Sequence, residues 1–181
     1  MQKIILIVGQ SGAGKDTLLN SASKHLRCNF VKRYITRSPD ETENNYYISR
    51  DCFETLSKTG YFLAEWSAHS NLYGIAKNDI KEGTNIISVS RQVVEKFEQI
   101  FGDVTTVEIT APKEVLRERL QKRNREKPEQ QQNRLERTYE KINAKTLITF
   151  NNCLGKEASS RKFVKLLKLI ERNEMFQCSN I

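Results

Sequence analysis

Five consecutive apolar residues, Ile4-Ile5-Leu6-Ile7-Val8, lie close to the start of the chain and run directly into glycines. So short a run, halted by glycine, predicts a strand buried on both faces; it is too short for a signal core and falls far below the roughly 20 apolar residues of a membrane span. Over residues 15–26 the pattern becomes helical, and residues 30–36 read as a second β-rich stretch. A polar segment with Pro39, Asp40, Asn44 and Asn45 then predicts a mobile loop. Short strands are expected at 46–48, 62–68 and 72–75, with a helix over 50–58 capped by Ser49 and stopped by Gly60.

From residue 85 the period alternates regularly: strand 85–90, helix 92–101, strand 104–110, helix 113–123. Alternation of this kind predicts a parallel sheet covered by helices. Residues 147–150 supply a last strand, and Phe163, Leu166, Leu167 and Ile170 mark one face of a closing amphipathic helix. The fold class expected is α/β, a single three-layer domain over residues 1–181 with a parallel core sheet flanked by helices. Within it, residues 34–80 read as a small mixed β subdomain, and the very polar residues 124–133 as a lid.

The chain has 181 residues, enough for one good core, and a formal charge of +8, which points to polyanionic partners. Cys28, Cys52, Cys153 and Cys178 form no C-x-x-C pair, so neither a zinc site nor a disulfide framework is signalled. Reduced thiols and a cytoplasmic location are expected, with no membrane partner, and a homodimer stays open.

Chemistry concentrates in Gly9-Gln10-Ser11-Gly12-Ala13-Gly14-Lys15-Asp16-Thr17, between the first strand and the first helix. The pattern G-x-x-x-x-G-K-[ST] works because successive backbone N–H groups turn inward around phosphate oxygens, the helix N-terminus adds partial positive charge, and the lysine reaches the terminal phosphates. The whole stretch is therefore assigned to ATP, which makes the expected α/β domain a three-layer P-loop NTPase fold and residues 34–80 its expected acceptor-binding subdomain. One position departs from the pattern: Asp16 stands where a hydroxyl normally serves Mg2+, and a carboxylate is also a hard oxygen ligand. A helix-stabilising role for Asp16 is the competing reading.

Phosphoryl transfer needs cations converging on phosphates from loops. Arg37 and Arg91 follow strands, where ligands gather in open α/β sheets, while Arg123, Arg125 and Arg134 bracket the lid. Lys32 and Arg33 add further charge, and His69, just before Tyr73-Gly74, could reach a sugar or phosphate. The chain shows no interleaved aromatic and basic platform, so nucleic acid is not the expected partner, although a basic nucleic-acid-binding ATPase is one alternative.

These residues resemble nucleoside-monophosphate kinases of the guanylate kinase type, and more closely the ribose 1,5-bisphosphate phosphokinases that share that fold, over nearly the whole chain. The shared features are Gly14-Lys15, Tyr34-Ile35-Thr36-Arg37, Tyr73-Gly74 and the lid arginines Arg123 and Arg134. Favouring the ribose enzymes are Gly14-Lys15-Asp16, Trp66-x-Ala68-His69 with Tyr73-Gly74-Ile75, and Ser90-Arg91. Asp40 and Asn45 replace a phosphate-binding arginine and tyrosine of guanylate kinases, whose guanine-reading glutamate falls at Ala64, with Glu65 one residue away. The ribose enzymes' own pattern is also broken, since Ser88 replaces their usual asparagine and Arg123-Asn124 their Arg-Gly.

The resemblance implies transfer of the ATP γ-phosphoryl group to ribose 1,5-bisphosphate, as in phosphonate breakdown, giving 5-phospho-α-D-ribose 1-diphosphate. It implies Lys15, Arg123 and Arg134 as catalytic residues, Arg37, His69, Tyr73 and Arg91 on the acceptor, and Asp16 on Mg2+. Phosphorylation of GMP is the alternative.

Overall fold

The computed structural model describes residues 2–38, 43–68, 70–123 and 141–173, without the side chains at 120–123. In chain order the elements are β1 (Gln2–Gly9), α1 (Lys15–Ala22), β2 (Asn29–Val31), β3 (Tyr34–Ile35), β4 (Tyr46–Tyr47), α2 (Arg50–Lys58), β5 (Phe62–Ala68) and β6 (Asn71–Ala76). There follow β7 (Gly83–Ser88), α3 (Val94–Ile100), β8 (Asp103–Thr110), α4 (Lys113–Arg123), β9 (Leu147–Asn151) and α5 (Lys156–Glu171).

Five parallel strands make the core sheet in the order β2-β7-β1-β8-β9. β1 takes the centre because its apolar run has no wet side, and Ile4 to Val8 are all 0% exposed. Ile5 and Ile7 join a cluster with Leu18 and Ala22 of α1 and Phe163 and Leu167 of α5. Ile4, Leu6 and Val8 join another with Ile87, Phe97, Ala64 and Ile75, so the opposite face is covered by α3 and by the second sheet. Alternate residues of one strand thus serve two cores.

The second sheet has four strands in the order β4-β3-β6-β5, with β3 parallel to β4 and antiparallel to β6, which pairs antiparallel with β5. α2 lies on its outer face. Ser49 Oγ accepts the Cys52 N–H at 3.2 Å to start that helix, and Phe53 stacks on Phe62 at 4.5 Å between ring centroids. Tyr34, on the same face, shares a 2.8 Å hydroxyl contact with Tyr61. Burial, then that hydrogen bond, hold the Tyr34 phenol above its ordinary pKa.

Three expectations are corrected. The stretch at 30–36 is two strands in different sheets, since the chain leaves the core sheet after Val31 and enters the other at Tyr34. β-propensity marks extended backbone but not which neighbour it pairs with. Helix α1 ends at Ala22, where the Lys24 and His25 N–H groups bond three residues back to Ser21 and Ala22 and the turn tightens. The strand expected at 85–90 ends at Ser88, and Ser90 instead caps a short 3₁₀ turn, Arg91–Val93, ahead of α3.

No helix among the described residues is long and apolar enough to cross a membrane. The expected lid at 124–133 lies outside the described residues.

Candidate active site at the carboxyl edge of the core sheet

Parallel strands bring all their carboxyl ends to one edge. There β1 delivers the glycine loop, β2 leads into Lys32 and Arg33, β7 ends at Ser88 ahead of Arg91, β8 carries Glu108, and β9 leads to Asn152. Such an edge is where ligands bind in open α/β sheets. The loop leaves β1 at Gly9 and reaches α1 through Gly14, whose left-handed φ of 91° puts it at the helix N-cap. With no side-chain cap at this helix start, the first N–H groups of α1 are offered to an anion. Lys15 Nζ donates to the carbonyls of Gly9 at 2.7 Å and Gln10 at 3.1 Å, which keeps its charge folded over the loop.

Two residues that sequence reading passed over hold the loop from behind. Asn152, 5% exposed, donates from Nδ2 to the Ala13 carbonyl at 2.7 Å, while its own N–H bonds Thr110 at 2.7 Å. Arg119 of α4 reaches the Ala13 carbonyl at 3.3 Å and the Asn152 carbonyl at 3.2 Å. The polar pair Asn151-Asn152 at the end of the last strand was the available signal for Asn152; Arg119 looked like any surface arginine of a polar helix. Asn152→Ala is expected to cost about 1–3 kcal/mol, because a buried carbonyl loses its best donor. A thermal melt should show the loss as a Tm lower by roughly 3–10 °C.

Arg33, at the crossing between the two sheets, is the hub of a part-buried polar cluster. Its guanidinium donates to Asp16 Oδ1 at 3.1 Å, Glu43 Oε2 at 3.3 Å, Asn45 Oδ1 at 3.1 Å and Ser88 Oγ at 3.4 Å. Glu43 Oε2 also accepts from Arg37 and, at 3.0 Å, from Asn45 Nδ2. The polar segment expected as a mobile loop is, at its 43–45 end, packed into this cluster, because a carboxylate between two guanidiniums is well solvated by the protein. Residues 39–42, with Asp40, lie outside the described residues. Burial works against the charge on Arg37, but the hydrogen bond and charge of Glu43, with Tyr73 and Tyr47 adding to them, hold its pKa above the ordinary value.

The second sheet sorts its residues by face. Trp66 and Tyr73 are register partners and stack at 5.5 Å with their planes 6° apart, and Ile35 is opposite Tyr73 on β3. Glu65, one residue from Trp66, turns to the other face, where its Oε1 accepts from Ser57 of α2 at 3.1 Å. Ala64 is fully buried in the core. No carboxylate from position 64 or 65 therefore joins Tyr73 on the inner face.

Arg91 Nη2 donates to Glu108 Oε1 at 2.7 Å, across the end of β1. His69 and Arg134 lie outside the described residues, and Arg123 ends α4 with its side chain undescribed. Cys28 donates to Glu171 Oε1 at 3.4 Å, and burial, then that contact, push its thiol up to about 12, a poor setting for a nucleophile. Among the described residues no cluster of three or more His, Cys, Asp or Glu could hold a metal.

A phosphate-cradling loop on the central strand of a five-stranded parallel sheet, with a small mixed sheet beside it, defines a phosphate-loop kinase of the guanylate kinase-like fold. Guanylate kinase from Anaplasma phagocytophilum superimposes with a TM-score of 0.63 at 18% identity, covering 94% of this chain and 86% of that one. A gluconokinase from Sinorhizobium meliloti 1021 gives 0.55 at 16% identity, covering 97% of each. The family model described as "AAA domain" matches residues 5–140. In sequence the chain is 33% identical over 174 residues to ribose 1,5-bisphosphate phosphokinase PhnN of Bradyrhizobium diazoefficiens, covering 92% of this chain and 88% of that protein. It is 37% identical over 131 residues to the protein of that name from Rhodopseudomonas palustris, covering 68% of each. The chain belongs to the ribose 1,5-bisphosphate phosphokinase family.

Proposed function

We propose that this protein transfers the γ-phosphoryl group of ATP to the 1-phosphate of ribose 1,5-bisphosphate, releasing ADP and 5-phospho-α-D-ribose 1-diphosphate. Besides the family, the observation that carries the choice of acceptor is the orientation of Glu65. A guanine reader would have to share a face with Tyr73, yet Glu65 faces α2 and is held by Ser57. The inner face offers stacked rings and, beside them, the cation of Arg37, which suit a phosphorylated sugar better than the polar edge of a base.

The reaction forms a bond from an acceptor phosphate oxygen to Pγ and breaks the bond from Pγ to the β-bridging oxygen of ATP. That acceptor oxygen is already anionic, so no strong general base is needed and the work is positioning and charge neutralisation. The loop N–H groups of residues 9–17 cradle the donor phosphates, and Lys15, poised over the Gly9 and Gln10 carbonyls, swings its ammonium to the transferring group. Arg37, Tyr73, His69 and Arg91 hold the acceptor, while Arg123 and Arg134 meet the charge that develops in transfer.

Asp16 fits a role toward Mg2+, since it offers a hard carboxylate directly after Lys15 and its side chain keeps 21% exposure despite the Arg33 ion pair. Magnesium held by Asp16, with Thr17 beside it, supplies charge neutralisation on the donor phosphates.

The deciding experiment is a coupled ADP-release screen over ribose 1,5-bisphosphate, GMP, dGMP, AMP and UMP. The ribose substrate should exceed GMP in kcat/KM by roughly a hundredfold or more, since with Glu65 turned to α2 the polar edge of a base loses its carboxylate partner. GMP equal to or better than ribose 1,5-bisphosphate would return the assignment to guanylate kinase.

A further inference from the structure

Of the polar residues near the loop, Glu43 is the one whose burial the reaction does not by itself explain. Its side chain is 6% exposed, yet three N–H donors from Arg33, Arg37 and Asn45 converge on the single oxygen Oε2. The Arg37 side chain keeps 30% exposure where that of Glu43 has 6%, so solvent reaches the arginine and hardly reaches the carboxylate. A ligand arriving from solvent therefore meets the Arg37 side chain before the Glu43 carboxylate. Arg37 Nε, in turn, is buried without a hydrogen-bond partner among the described residues, so the contact with Glu43 leaves donor capacity unspent.

The same carboxylate continues inward. From Glu43 the charge alternates through Arg33, 3.3 Å away, to Asp16, 3.1 Å further on, the residue after Lys15. Two carboxylates and two guanidiniums balance in this chain. A guanidinium pairs planar acceptors in a fixed fork, so fixing one edge of Arg37 fixes the direction of the others. An unbacked Arg37 would keep its charge but lose that direction, and much of the binding would go into reordering it.

Resting on the reading that Arg37 holds the acceptor, we propose that Glu43 is a positioning residue for the acceptor phosphate: it backs Arg37 and ties it through Arg33 to the phosphate-loop helix. Glu43 touches neither substrate. Its removal therefore acts on acceptor binding and spares ATP binding.

The test compares Glu43→Gln, Glu43→Asp, Arg37→Met and the double variant E43Q/R37M in the full chain. Steady-state KM is measured for ribose 1,5-bisphosphate and for ATP, with calorimetric binding of ribose 1,5-bisphosphate alone and a thermal melt for each variant. Glu43→Gln is expected to raise the acceptor KM and the calorimetric Kd roughly tenfold or more, with the ATP KM within about twofold. Glu43→Asp, which keeps the charge, should recover part of the loss and supplies the same comparison if the glutamine variant folds poorly. In the Arg37→Met background Glu43→Gln should add little, because both act through one guanidinium. Three results overturn the proposal while leaving the acceptor reading in place: an unchanged acceptor KM in both Glu43 variants, equal rises for acceptor and ATP, or full additivity in the double variant. A lowered acceptor KM would also overturn it, by making Glu43 a competitor of the phosphate. If Arg37→Met itself leaves the acceptor KM unchanged, both this proposal and the assignment of Arg37 fall.

Discussion

Lys15→Ala should abolish transfer while leaving the fold standing. The ammonium is a cation built into the loop, and it donates to the carbonyls of Gly9 and Gln10. Removing one preorganised donor from a transition state that concentrates charge costs roughly a hundred- to a thousandfold in rate. The two carbonyls it leaves belong to a partly exposed loop and can turn to water, so the Tm should move by less than about 3 °C, under the cost of a single unmet buried group. Coupled ADP release at saturating substrates, together with a circular-dichroism melt, separates the two quantities. Turnover within tenfold of the parent would remove Lys15 from the chemistry; a large fall in Tm would mean the lysine holds the loop together instead.

Gly9→Ala should do the reverse and fail by folding. Gly9 has φ of 152°, a conformation open to glycine, and a Cβ placed there would lie 2.4 Å from the backbone carbonyl oxygen of Ile109 on the neighbouring strand. That oxygen belongs to β8, which is held in register with β1 on one side and β9 on the other, so it has little room to retreat. Backbone strain of about 1–3 kcal/mol adds to overpacking of about 1–3 kcal/mol. Against a total stability of about 5–15 kcal/mol this is a large fraction. A Tm lower by roughly 10 °C or more is the expected measurement. A melt unchanged within 2 °C would show that β1 and β8 can separate at that point at little cost.

The two variants mark different levels of the same nine residues. Strand, loop and helix start were legible in the sequence because each rests on local chemistry: an apolar run with no polar break, glycines where backbone must turn, a lysine at fixed spacing. The alternation after residue 85 likewise specified a parallel sheet with helical layers. Ser49 and Gly60 bounded α2 from within its own turn.

What only the tertiary structure decided depends on partners distant in sequence. The β-rich stretch at 30–36 gave no sign that it changes sheets, since extended backbone carries no label for its neighbour. Glu65 could be weighed as a base reader until strand parity and the bulge between Phe62 and Ala64 set it against α2. Arg119 and Asn152 stand 106 and 139 residues from the Ala13 carbonyl they share, so neither resembled part of the loop. Glu43 was one acid in a polar segment, and became the anion between Arg33 and Arg37 once the fold closed around it. Local chemistry is written where it acts, along a few successive residues; the pairing of buried charges and the side of a sheet on which a side chain falls are set by which strands meet, and that is a property of the whole chain.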